Sequence, residues 1–280
     1  MLRLGVPARE LPARLRGSRV EGRGELLLSF DRASHYYDRT RALSARATQA
    51  LTALLAAELR GREPCLEIGV GTGRIALPLA GSGLAMVGVD VSLPMLAVLV
   101  EKGGGRPPLP AAAADARLLP FPPHAFGSAL CCHVLHLFAD WRGALAEVAR
   151  VVRPGGVFLV DLGGWGATWW QDVASRFSEA AGIARPYPGV RDAIEVDTAM
   201  LQHGAGVREL PPVVEARRAS PGALIDRLEE GLYSFTWQTS PAARRNAAAA
   251  TRAWAEGRFD SLEEARAVRL TISWRAYDLP

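Results

Sequence analysis

The sequence predicts an α/β protein, a doubly wound sheet with helices on both faces and a helical lid or insert after it. Three observations carry this. Short apolar runs alternate with stretches of helical period from about Pro64 to Asp161. A glycine cluster, Gly69-Val70-Gly71-Thr72-Gly73, stands where the first strand gives way to a helix. The chain has 280 residues, 49% of them hydrophobic, enough to bury a large core.

Residues 1–24, rich in Arg, Gly and Pro without a sustained period, read as a loosely ordered basic extension. Arg3, Arg9, Arg14, Arg16, Arg19 and Arg23 oppose only Glu10 and Glu21 there, which accounts for the whole net charge of +4. The rest of the chain balances at 27 basic against 27 acidic residues, so its charge gives no support to a polyanionic partner. Residues 25–280 are expected to form a single domain. Within it, 25–61 supply N-terminal cap helices, where Leu51, Leu54, Leu55 and Leu59 recur at three and four before Gly61. Residues 62–162 form the ligand-binding core, 163–205 a lid or insert, and 206–280 C-terminal strands and helices.

The core elements follow in order. The first strand covers about Pro64–Ile68, and a helix opens after Gly73. A second strand at Ala85–Asp90 leads to a helix at Leu93–Lys102; a third strand falls near Ala111–Ala114 and a fourth at Ala125–His133. Asp140 caps the next helix, in which Trp141, Leu145, Val148 and Val152 form one apolar stripe. Arg153-Pro154-Gly155-Gly156 ends it, because proline lacks the ladder N–H and glycine takes the left-handed turn easily. Val157–Asp161 is the fifth strand. Repeats of this kind pair in parallel through right-handed crossovers.

Beyond Gly163 the rhythm breaks. Gly163-Gly164-Trp165-Gly166, the pair Trp169-Trp170 and an irregular stretch to Val190 precede helices expected at Arg191–Gln202, Pro221–Tyr233 and Pro241–Gly257. Near the end Val268, Leu270, Ile272 and Trp274 alternate with Arg269, Thr271, Ser273 and Arg275. That is a half-buried antiparallel strand, and Val213–Arg217 is its expected partner.

The cysteines Cys65, Cys131 and Cys132 make no disulfide framework, since two are sequence neighbours and all sit in apolar runs. They read as small core residues ahead of a thiol nucleophile or metal ligand, and no metal site is expected. No apolar run approaches the roughly 18 residues of a membrane span, and the basic N-terminus lacks the apolar stretch of a secretion signal, so a cytoplasmic protein without a membrane partner is expected.

The glycine loop carries the chemistry. Glycine there allows a sharp turn with positive φ and lets a ligand approach the main chain. A dinucleotide fingerprint would place its third glycine at position 74, which is Arg74; here it falls one residue early, at Gly73. Glu67, two residues before Gly69, is a poor neighbour for pyrophosphate and a good one for a ligand carrying an amine and a sulfonium. Asp90 ends the second strand 21 residues after Gly69, where a carboxylate accepts hydrogen bonds from ribose hydroxyls. Asp115 and Ala116 follow the third strand, where a carboxylate and a backbone N–H meet an adenine ring. Each Asp alone reads as a turn or cap residue; their joint placement at strand ends is the signal.

Four segments resemble the class I S-adenosylmethionine-dependent methyltransferases, in their small-molecule branch: CLEIGVGTGRIALP at 65–78, VGVDVSLPML at 87–96, ADARLLPFPPHAF at 114–126 and HVLHLFADWRGALAEVARVVRPGG at 133–156. The resemblance spans about Tyr36 to Asp161, and the tail, through Leu232-Tyr233-Ser234-Phe235-Thr236-Trp237 and the helix bearing Trp254, resembles one bacterial subgroup. It implies a seven-stranded sheet in the order 3-2-1-4-5-7-6 with strand seven antiparallel, in agreement with the alternating C-terminal strand. It also implies S-adenosyl-L-methionine as cofactor and S-adenosyl-L-homocysteine as product. Glu67, Gly69, Gly71 and Gly73 would wrap the methionine part, Asp90 the ribose, and Asp115 with Ala116 the adenine. The His133 carbonyl would meet the amino group, and Tyr37 and Arg41 would fold over the cofactor carboxylate.

Methyl transfer from a sulfonium is an in-line displacement needing alignment, exclusion of water and, for some acceptors, removal of a proton. The candidate base is His136, with His133 assigned a backbone role; the alternative for both is a locally hydrogen-bonded, packed histidine. Trp165, Trp169, Trp170, Tyr233 and Trp237, with Tyr36, are candidates for an acceptor pocket or for core filling. Asp161 reads as a supporting carboxylate or a helix cap. Where amino-methylating nucleic-acid enzymes carry a Pro-Pro-aromatic loop, this chain has Cys131-Cys132-His133-Val134, so a nucleic-acid substrate is not expected. The expectation is a methyltransferase, monomeric or homodimeric, acting on an O, N or C nucleophile of a small molecule. The alternatives are a cofactor-binding sensor without transferase activity and, further off, a nicotinamide-dependent oxidoreductase.

Overall fold

The computed structural model describes residues 29–163, 168–184 and 187–280, so the extension at 1–24 and Trp165 lie outside the described residues. The N-terminal cap opens with a 3-10 turn at Asp31–Ala33, followed by α1 (Tyr37–Arg41) and α2 (Ala45–Leu59). Ser44 separates the two helices: its hydroxyl accepts the Ala47 N–H at the start of α2. Leu51, Leu55 and Leu59 are buried on one side of α2, as their spacing requires.

The core runs β1 (Cys65–Ile68), α3 (Ala76–Gly81), β2 (Met86–Asp90), α4 (Leu93–Lys102), β3 (Ala111–Ala113), β4 (Phe126–Cys132), α5 (Trp141–Val151) and β5 (Val152–Asp161). Asp140 caps α5 by accepting the Gly143 N–H at 3.0 Å. Trp141, Leu145 and Val148 are buried along α5, each aliphatic side chain contributing about 1.5–3 kcal/mol on burial. Strand β5 starts five residues before the expected Val157, because Val152 pairs with Phe126 ahead of a register irregularity.

The C-terminal part runs α6 (Thr168–Ala180), α7 (Ala193–Gln202), β6 (Gly206–Glu209), β7 (Val213–Ala219), α8 (Pro221–Glu229), α9 (Pro241–Glu256), β8 (Arg266–Ile272) and β9 (Arg275–Asp278). The sheet order is β3-β2-β1-β4-β5-β9-β6, with β9 antiparallel to both neighbours and all pairs from β3 to β5 parallel. This is the expected seven-stranded doubly wound order, with β9 in the place of strand seven. The alternating strand, however, is not the one that enters this sheet. As β8 it pairs with β7 over Val213↔Ile272 to Ala219↔Arg266 and makes a separate two-stranded ribbon. The Ser273-Trp274 junction sends only the next four residues into the main sheet, and Trp274 is fully buried there.

Three cores result. One face of the sheet packs α5 and α7, through residues such as Leu145 and Met200. The other packs α2, α3 and α4, through Leu55, Leu79 and Leu99. A third core joins α6, α8, α9 and the ribbon around Val173, Phe177, Leu228, Ala248 and Val268. The stretch expected as one lid at 163–205 is therefore divided. Helix α6, which the irregular reading to Val190 did not include, belongs to the outer lobe, and α7 packs on the sheet. Among the described residues no helix is long and apolar enough to cross a membrane.

Candidate functional site

The strand order reverses beside β1, between β2 and β4, and the crevice at the carboxyl ends of these strands is where a parallel α/β sheet binds ligands. The glycine loop forms its floor. The N–H groups of Gly69 and Val70 both donate to the Val89 carbonyl, at 2.8 and 2.9 Å, pinning the loop to β2. Gly69 and Gly71 have φ of +73° and +53°, where side chains are strained. A Cβ on Gly71 would lie 3.1 Å from Met95 Cε, and one on Gly69 would lie 2.4 Å from Val134. Gly73 differs from its expected role: it lies outside the crevice lining, and a Cβ there would strike Leu77 and Leu99. It is a packing glycine beneath α3 and α4.

Glu67 is 2% exposed and lines the crevice, and its Oε2 has no hydrogen-bond partner among the described residues. Burial pushes its carboxyl up to about 8, against the pull of Arg74 and a backbone hydrogen bond from Ala76. A buried carboxylate oxygen without a donor is costly unless a ligand supplies one, and an ammonium group is the matching donor. The chain thus fits a ligand with a cationic amine at this end of the crevice.

Asp90 also lines the crevice, but its first task is structural. It accepts the Gly71 N–H on Oδ2 and the Ser92 N–H on Oδ1, both at 2.8 Å, and so ties the glycine loop to the start of α4. The Val91 N–H adds a weaker hydrogen bond, and the carboxylate keeps acceptor capacity for a hydroxyl. Asp115 and Ala116 line the crevice, and the Asp115 carboxylate is gripped by Arg117, at 3.0 Å from Nε and 2.8 Å from Nη2. Burial works to raise the Asp115 carboxyl, and the Arg117 contacts outweigh it and hold it below the usual range.

The crevice, about 90 Å³, adjoins a second cavity of about 660 Å³, and Phe30, Tyr37, Arg74 and His133 line both. Arg41 and His136 line only the larger one. Arg41 therefore departs from the expected place over the cofactor carboxylate: its guanidinium lies over the Tyr233 ring at 5.4 Å. His136 packs edge-on against Tyr187 at 4.5 Å, with Nδ1 buried and unpartnered, and burial above all pushes its imidazole down to about 3. Of the aromatic candidates, Trp170 and Tyr233 line the larger cavity. Trp169 donates to the Ala267 carbonyl, Trp237 to the Gly231 carbonyl, and Tyr36 lines neither cavity.

A polar network that the sequence reading missed runs along the partition. Arg74 Nη2 donates to Cys132 Sγ at 3.0 Å, Cys132 reaches Asp161 Oδ2 at 3.5 Å, and His133 Nε2 stands 3.3 Å from the same oxygen. Burial works to raise Asp161, but His133, the Gly163 N–H and Arg74 hold it below the ordinary carboxylate range. Cys132, His133 and Asp161 bring three ligand-type atoms within 4.8 Å of one another, with the Arg74 cation already against the sulfur. His133 has φ +58°, an unusual backbone conformation for a non-glycine residue, and the contact with Asp161 holds its imidazole. Arg74 was legible only as the residue that spoils a dinucleotide motif; its signal was a single charge in an apolar turn.

The N-terminal segment covers the crevice. Asp31 accepts the Ser92 hydroxyl at 2.5 Å, and Phe30 packs on Trp237 at 4.9 Å, so the 232–237 motif braces this cover.

Residues 66–160 match the family "Methyltransferase domain". The chain is 38% identical over 98 residues to the demethylmenaquinone methyltransferase of Corynebacterium kroppenstedtii, covering 35% of this chain and 41% of that protein. It is 35% identical over 108 residues to the uncharacterized methyltransferase YcgJ of Bacillus subtilis, covering 37% and 42%. The aligned part spans about two fifths of the length of these curated relatives. The crystal structure of Bacillus subtilis YcgJ superimposes with a TM-score of 0.57 at 20% identity, over 84% of this chain and 99% of that one. The chain has the class I methyltransferase fold, and the match to the family lies within its parallel core.

Proposed function

We propose, from this fold and the family match at residues 66–160, that the chain is an S-adenosyl-L-methionine-dependent methyltransferase acting on a small molecule. The observation that carries the reading is the unpartnered, buried Glu67 Oε2 at the mouth of the glycine loop. Glu67 would hold the amino group, the backbone at Gly69 and Gly71 would pass close along the methionine part, and Asp90 would accept from the ribose. Ala116 would present its N–H to the adenine, and Asp115 joins it only where Arg117 leaves an acceptor site. Bound there, the cofactor supplies a sulfonium-activated methyl group.

The remaining work falls to the partition and the larger cavity. Phe30 and Tyr37 cover the junction and exclude water. Where the acceptor must lose a proton, His133 is the better-placed group, because its ring is held by the ionised Asp161 and lines both cavities. His136, the sequence candidate, carries an imidazole whose burial makes it a weak base; in this assignment it accepts a hydrogen bond from the acceptor through Nδ1.

Isothermal calorimetry with S-adenosylhomocysteine tests the reading. Binding is expected for the native chain and loss of it for Glu67→Gln and Gly71→Val. Absence of binding to the native chain, or binding of NAD in its place, overturns it.

A further inference from the structure

The larger cavity carries two guanidinium groups without a hydrogen bond or ion pair among the described residues. Arg41, on α1, and Arg217, on the inward face of β7, both line it. Among the described residues neither makes a hydrogen bond or ion pair; Arg41 has only the ring of Tyr233, and Arg217 Nε is buried without a partner. Burial lowers the Arg217 guanidinium below its ordinary range, and the charges of Arg227 and Arg41 press the same way against the pull of Tyr233 and Glu215. The charges of Arg41 and Arg217 repel each other, and an anion bound by both guanidinium groups relieves that cost.

The acidic groups nearby are engaged elsewhere. Glu215, two residues from Arg217 on the same strand face, accepts from the Ser44 N–H and hydroxyl. Asp161 is held by His133 and the Gly163 N–H, Glu209 stands 3.9 Å from Arg275, and Asp192 caps α7. The same cavity is lined by Trp170, Tyr187 and the buried His136, whose Nδ1 has no partner among the described residues. A flat apolar body fits these rings, and a full negative charge fits the two guanidinium groups.

Resting on the reading of this cavity as the acceptor site, we propose that the methyl acceptor is an aromatic or similarly flat molecule bearing an anionic group, a carboxylate or a phosphate ester, which Arg41 and Arg217 bind together. Bidentate guanidinium contacts serve either anion.

Three probes of one shape separate the possibilities: naphthoate, naphthyl phosphate and the neutral naphthamide, each titrated calorimetrically into the full chain with and without S-adenosylhomocysteine. At least one of the two anions is expected to bind about tenfold or more tighter than the amide. Which anion wins identifies the group. Arg217→Gln and the double variant Arg41→Gln/Arg217→Gln should remove the preference, Arg217→Lys should restore part of it, and S-adenosylhomocysteine affinity should stay native in Arg217→Gln. Equal binding of amide and anions, no binding of either anion up to its solubility, or a double variant that still prefers the anion overturns the proposal. Because the probes are read without turnover and also without cofactor, failure of the methyltransferase reading shows separately, as absent S-adenosylhomocysteine binding.

Discussion

Lys102 Nζ lies 2.7 Å from Asp38 Oδ2, and the same lysine donates to the Thr72 carbonyl at 2.8 Å while Asp38 Oδ1 accepts the Thr72 hydroxyl at 2.7 Å. The end of α4 thereby holds α1 down on the glycine loop. Lys102 is the only lysine in the chain. Both partners are partly exposed, so the ion pair contributes at most about 1 kcal/mol. Lys102→Met and Asp38→Asn should weaken S-adenosylhomocysteine binding by no more than about fivefold. In the native chain the ligand should slow acetylation of Lys102, followed by mass spectrometry; labelling at an unchanged rate would show that the cover does not tighten over the crevice.

Glu67 makes binding a proton-releasing event. Its folded carboxyl sits at about 8, above the ordinary 4.5, so the ligand-free folded chain holds a proton that the unfolded chain gives up. Stability from this group is full below about pH 4.5 and falls as pH rises toward 8, by up to about 1.4 kcal/mol per pH unit. An ammonium ligand favours the ionised form and expels the proton. Calorimetry at pH 7 in buffers of different ionisation enthalpy should detect proton release in the native chain and none in any residual binding by Glu67→Gln. Equal values in both would separate Glu67 from the ligand.

His136 acts in the opposite sense. Its folded imidazole is held at about 3 against an ordinary 6.5, so the unfolded chain takes up a proton that the folded chain refuses. Stability is whole above pH 6.5 and declines as pH falls toward 3. His136→Phe should flatten the decline between pH 6.5 and 4 in urea denaturation series; a curve parallel to the native one would place this titration elsewhere.

Gly71→Val puts a branched side chain at φ +53°, with its Cβ 3.1 Å from Met95 Cε. Strain of about 1–2 kcal/mol adds to obstruction of the crevice, and S-adenosylhomocysteine affinity should fall about a hundredfold or more. Gly155→Ala, at φ +71° in open space, carries the strain without the obstruction and should bind normally while melting lower. Similar affinities in the two variants would mean that Gly71 does not face the ligand.

The parallel core was legible because its signals are local and agree with one another. Asp140 caps the helix whose stripe is Trp141, Leu145 and Val148, and Gly69 and Gly71 turn where β1 ends. The positions of Glu67, Asp90, Asp115 and Ala116 around one crevice follow from the same pattern. What resisted reading depends on distant partners. Strand β6, Gly206–Glu209, is mostly exposed and has no alternation to reveal it. Strand β9 follows β8 after only Ser273 and Trp274, so two strands of different sheets look like one. Arg41 and Arg74 meet Tyr233 and Cys132 far along the chain, and no spacing rule announces such contacts.

Phe30, Tyr37, Arg74 and His133 face both hollows at once. A party wall of this kind makes the two tenants mutually aware: any shift of these four side chains on filling one chamber alters the free energy of filling the other. Thermodynamic reciprocity then requires that the first guest change the second guest's affinity by the same factor as the second changes the first's, whichever arrives earlier.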